Sequence, residues 1–116
     1  MQIFPKNEPR KFTVKDVTIS HVADITLATD EMITFRTENG AEYDVAAKEW
    51  GFYATPSLNR RLPDNGFRPA LVKNPEGQRY ILLVEKGKET SFNEYCDQQS
   101  IKILALLDEE NINITD

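Results

Sequence analysis

The sequence has one cysteine, one histidine, one tryptophan and no apolar run near the roughly 20 residues that a membrane-spanning helix needs. With Cys96 alone, no internal disulfide forms and zinc sites built from several cysteines are excluded. With His21 alone, no pair of histidines stands at metal-ligand spacing. There is no phosphate-cradling glycine motif and no GxSxG elbow, so no cofactor is expected. The first residues, MQIFPKNEPRKF, lack the apolar centre of a secretory signal, which leads to the expectation of a cytoplasmic protein. Without a secretory route, the acceptor-like triplet Asn113-Ile114-Thr115 reads as incidental.

Charge narrows the partners. Fourteen Lys and Arg against nineteen Asp and Glu give a net charge of −5, which opposes attraction to nucleic acid and anionic membrane. Arg60, Arg61, Arg68, Lys73 and Arg79 all fall in the middle third, so a local basic face is compatible with that balance. At 116 residues, with 40% hydrophobic and 28% charged side chains, the chain is expected to fold as one globular domain over 1–116.

The stretch WGFYATPSLNRRLPDNGF, 50–67, concentrates the most signals. Thr55 has the chemistry of an N-cap and Pro56 that of a first helical residue, which predicts a helix from Pro56 with Leu58 and Leu62 on one face. Pro63 to Gly66 then stop it. A helix that short needs tertiary support, expected from Trp50, Phe52 and Tyr53.

On the N-terminal side, Pro5 and Pro9 predict an extended lead-in over 1–11. From Val17, apolar residues at Ile19, Ala23, Ile25 and Leu27 alternate with polar ones, the period of a half-buried strand. His21 falls in phase with them and reads as a partly buried neutral side chain without a carboxylate partner. Met32 to Val45 reads as a hairpin. A three-residue loop, Glu38 to Gly40, with Gly40 left-handed, sets Phe35 against Tyr43, Ile33 against Val45 and Arg36 against Glu42.

On the C-terminal side, Phe67 to Lys73 and Arg79 to Glu85 form a second hairpin around Asn74-Pro75-Glu76-Gly77, pairing Val72 with Tyr80 and Lys73 with Arg79. Tyr80 to Val84 is apolar throughout and is expected to be central. Glu89 to Gln99 reads as a helix with Phe92, Tyr95 and Cys96 inward, and Cys96 as a small buried hydrophobe. Ile101 to Leu107 is expected as a strand joined by a parallel crossover. The acidic tail 108–116 is expected to fray. The fold class is α+β: an N-terminal antiparallel β meander, then short helix, β-hairpin, longer helix and C-terminal strand. From Tyr43 onward the order is ferredoxin-like.

For function, the candidate ligand site is Trp50, Tyr53, Thr55, Ser57, Asn59, Arg60 and Arg61, where helix amides, aromatic walls and two cations favour a small anionic ligand. Arg68, Lys73 and Arg79 are candidates to extend it. The bland alternative is that Thr55 caps, Trp50 packs and the arginines solubilise. Asp24, Asp44 and Glu49 are the carboxylates whose meeting would matter for acid-base work, and no catalytic residue is assigned. The chain therefore reads as a non-catalytic accessory or interaction domain, pairing with itself as a homodimer through an edge strand or with another protein. A small enzyme acting on a phosphorylated or carboxylated metabolite is the alternative, and weak nucleic-acid binding the third.

Overall fold

The computed structural model describes residues 1–14 and 16–114. Thr115, the last position of the acceptor-like triplet, and the end of the acidic tail lie outside them. The elements run β1 (Gln2–Val14), β2 (Val17–Thr26), β3 (Met32–Arg36), β4 (Glu42–Lys48), β5 (Gly51–Ala54), α1 (Arg61–Asp64), β6 (Phe67–Lys73), β7 (Arg79–Glu85), α2 (Glu89–Gln99) and β8 (Lys102–Leu106). The described strands form three antiparallel sheets, ordered β1-β2, β3-β4-β5 and β7-β6-β8, so the class is α+β. Two compact units emerge: Met1–Ile33 with Val45–Tyr53, and Thr34–Asp44 with Ala54–Asp116.

In the second unit, β6 is the strand covered on both faces. Ala70 and Val72 are buried with Val84, and Leu82, Leu106, Ile101 and Phe92 of α2 pack against them. On its other face Phe67 joins Leu62 of α1 and Ala41, with Tyr43 and Leu83 against them. The expectation that Tyr80 to Val84 is central is corrected: β8 adds to the far side of β6, leaving β7 at the edge with Tyr80 and Ile81 47% and 52% exposed. A continuous apolar run does not distinguish a central strand from an edge one whose inward residues alone are covered. The parallel crossover is also modified. β7 and β8 each run antiparallel to β6, so they share a direction, but β6 lies between them. The ferredoxin-like order is not formed, because the strand carrying Tyr43 pairs with β3 and β5 in a separate sheet.

Local chemistry fixes the turns. Thr37 N donates to Ala41 O, Gly40 N to Thr37 O, and Gly40 is left-handed at φ 93°, which is the three-residue loop expected there. Arg36 Nε donates to Glu42 Oε1 at 2.8 Å, the pair that this loop sets opposite. The second hairpin repeats the design, with Asn74 N donating to Gln78 O, Gly77 N to Asn74 O, and φ 82° at Gly77. Val72 pairs with Tyr80 and Lys73 with Arg79, as the turn predicts.

The short helix is displaced from its expected start. A helix beginning at Pro56 would carry Pro63 in its interior, where the ring clashes with the Asn59 carbonyl and a backbone bond is lost. The chain instead begins α1 at Arg61, so Pro63 falls in the first turn. Ser57, rather than Thr55, satisfies the start: its Oγ accepts from Arg61 N at 2.9 Å. Leu62 is fully buried while Leu58 is exposed, so the two do not share a face. α2 has the bounds expected of it, ends on left-handed Ser100, and buries Cys96.

In the first unit, the lead-in is itself a strand, paired along the length of β2. Ile3 faces Ile25, Phe12 faces Ile19 and Val14 faces Val17. Between Pro5 and Arg10 the register shifts, so that four residues of β1 stand against Val22. That bulge changes the parity of β1: Ile3 and Pro5 are odd, Phe12 and Val14 even, yet all four share a face with the odd residues of β2. Pro9 suits the bulge because it has no amide to pair. The opposite face carries Lys11 against Ser20 and Thr13 against Thr18, whose hydroxyls lie 3.1 Å apart.

Candidate functional site

At 50–61 the structure joins some of the expected residues and separates others. Arg61 Nη2 donates to Asp44 Oδ2 at 2.7 Å and to Thr55 Oγ1 at 3.1 Å. Asp44 also accepts from Thr34 Oγ1 at 2.6 Å. Thr55, Ser57 and Arg61 are thus brought together, but around a carboxylate of the same chain that already compensates the guanidinium. Ser57 occupies the Arg61 amide that was expected to face a ligand. Asn59 and Arg60 are exposed on the turn before α1. Trp50, Phe52 and Tyr53 belong to the other compact unit and are 73%, 70% and 50% exposed, so they do not provide the buried support expected of them.

Arg68 does not extend a basic face. Its Nε and Nη2 donate to the two oxygens of Asp108 at 2.8 and 3.1 Å, a bidentate and largely covered pair. The hydrogen bond to Asp108 raises the Arg68 pKa, and the same bond lowers that of Asp108. Asp108, the first residue of the acidic tail, is therefore anchored. Lys73 stands opposite Arg79 on one side and Lys102 on the other.

A cleft of 370 Å³ lies within the second unit, lined by Asn39, Gly40, Ala41, Asp64, Asn65, Gly66, Glu85, Lys86 and Lys88. Glu85 accepts from Asn39 Nδ2 at 3.0 Å and from the Thr37 hydroxyl. Those bonds, Asn39 first, with the positive charge of Lys88, hold its carboxyl below the usual range. An ionised, twice-bonded carboxylate ties the Glu38 to Gly40 loop to the end of β7; it is not a proton donor near neutrality. Backbone pairing closes the floor, with Lys86 N donating to Gly66 O at 2.8 Å.

The carboxylates considered for acid-base work are each engaged elsewhere or solvated. Asp24 accepts from His21 Nε2 at 2.9 Å and from Lys6 at 3.2 Å, and Lys6 chiefly lowers its pKa. His21 therefore has a carboxylate partner three residues on, which alternation along a strand does not reveal. Burial, aided by Asp97, pushes the Cys96 thiol up, away from nucleophile chemistry. Among the described residues, no three His, Cys, Asp or Glu side chains gather as a metal site.

The surface that stands out is the β1-β2 ribbon. Ile3, Phe12, Val14, Val17, Ile19 and Ile25 line one face and are each between 37% and 55% exposed. The strand was expected to be half-buried; its apolar side is in place but uncovered. Sequence reasoning missed this face because β1 changes parity at the bulge, although even-numbered Phe12 and Val14 beside Pro9 were the available signal. Ala47 is the buried apolar side chain of this unit among the described residues; the other buried members of the core lie in the second unit.

Searches against protein-family models, curated proteins and solved structures return no match. No helix of the described residues is long and apolar enough to cross a membrane.

Proposed function

We propose that this chain is a non-catalytic interaction domain whose β1-β2 ribbon engages another polypeptide. The observation that supports this reading is the uncovered apolar face formed by Ile3, Phe12, Val14, Val17, Ile19 and Ile25. An isolated two-stranded ribbon is at best marginally stable in water. Covering each half-exposed side chain recovers on the order of 1 kcal/mol, so occupation of the whole face is strongly favoured. Contiguous exposed apolar surface of this kind marks interaction sites. The free edges of a two-stranded sheet add unpaired backbone groups that a partner strand satisfies. A reduced, cytoplasmic setting suits the lone, buried thiol of Cys96.

Photo-crosslinking in cells tests the reading. A photoreactive side chain at position 19, on the apolar face, is expected to yield a discrete polypeptide adduct, and the same group at position 20, on the polar face, is expected to yield little. Equal yields at both positions, or none at 19, would remove it.

A further inference from the structure

We infer that the occupant of the ribbon face is a second copy of this chain, an inference that rests on the interaction reading above. Area and charge carry it.

The thirteen residues of β1 give a ribbon roughly 40 Å long and about 10 Å wide, a footprint of roughly 400 Å². Stable pairs of proteins cover about 800 Å² on each partner, so the ribbon alone supplies about half. The same compact unit exposes Trp50, Phe52 and Tyr53, and aromatic side chains bury about 150–250 Å² each. At their observed exposures these three supply roughly the other half. One unit of one chain therefore holds the area that a symmetric pair requires, and its two patches need the same partner at all times. A second copy is always present at the chain's own concentration.

The ribbon face is also nearly free of charge. Its ionisable members are Arg10 and His21, which pair across the strands, and the Arg10 guanidinium lies 5.4 Å from the centre of the Phe12 ring. Asp24 pairs with Phe4 in the opposite-facing register. An acidic or basic partner finds no counter-charge pattern here, whereas a second copy presents the same neutral surface. Because each copy carries a net charge of −5, screening by salt should strengthen this association, the reverse of a charge-steered one.

Sedimentation of the full chain from about 1 to about 200 µM, at low and moderate salt, tests the inference. The expected result is a species of twice the 13.3 kDa chain mass, favoured by salt. Ile19→Lys should weaken it at least about tenfold, Ile19→Thr, which keeps strand propensity, should weaken it measurably, and Ser20→Lys should leave it intact. Circular dichroism melting checks that each variant is folded. A monomer at every concentration, or a dimer indifferent to both Ile19 variants, overturns the inference. A monomer that floats with neutral phosphatidylcholine vesicles assigns the face to lipid instead. A monomer whose position-19 adduct in cells contains a different polypeptide leaves the interaction reading standing and removes the second copy alone.

Discussion

Phe12 and Ile19 stand opposite each other across β1 and β2, on one face of the ribbon, and both are exposed to solvent. Facing apolar pairs are how a sheet builds a side to be covered, and here nothing within the ribbon covers it. Leu62, fully buried in the other unit, is the contrast. Leu62→Ala is expected to lower stability by about 2–5 kcal/mol through lost burial and a cavity. Ile19→Thr should lower the stability of the dissociated chain by less than about 1 kcal/mol, as surface changes do. Urea denaturation at a concentration where the chain is monomeric distinguishes the two.

The Arg68–Asp108 pair predicts an acid-sensitive increment. Hydrogen bonding to Arg68 lowers the Asp108 pKa in the folded chain, so the pair's stabilisation is fully present above the unfolded carboxylate value and is lost as pH falls through the folded one. Asp108→Asn should cost about 1–2 kcal/mol near neutrality, because it leaves a largely covered guanidinium without its counter-charge. The difference between wild type and variant, followed by denaturation against pH, should be flat from pH 5 to 8 and shrink below about pH 4.

Gly66 should be the least replaceable glycine in the second unit. It sits at φ 103°, and a Cβ there would lie 3.0 Å from that of Ala41, whereas Gly40 at φ 93° opens onto free space. Gly66→Ala therefore adds a clash in the core to the roughly 1 kcal/mol of left-handed strain that Gly40→Ala incurs. A melting temperature lowered more by Gly40→Ala would contradict this.

Inorganic phosphate should leave the melting temperature unchanged. Asp44 already neutralises Arg61, and Ser57 holds the Arg61 amide. A rise in melting temperature that Arg60→Ala or Arg61→Ala abolishes would restore an anion site at Thr55 to Arg61.

What could be read in advance followed local chemistry. The loops ending at Gly40 and Gly77, the register they impose and the bounds of α2 each depend on a few neighbouring residues. What escaped depended on distant partners or on a broken period. Pro63 moved α1 to Arg61, and β8 chose the far side of β6. Asp44 reached Arg61 across 17 positions. The bulge after Pro5 moved Phe12 and Val14 onto the face of Ile19, which a strict alternation along β1 would have denied.

The most direct measurement concerns solvent access to that face. Cys96 is buried and should react slowly, so a thiol introduced on the ribbon can be followed on its own. The account predicts that Ile19→Cys is alkylated in cells at least about tenfold more slowly than Ser20→Cys, and that denaturation erases the difference. Equal alkylation of the two positions in the native protein would contradict it.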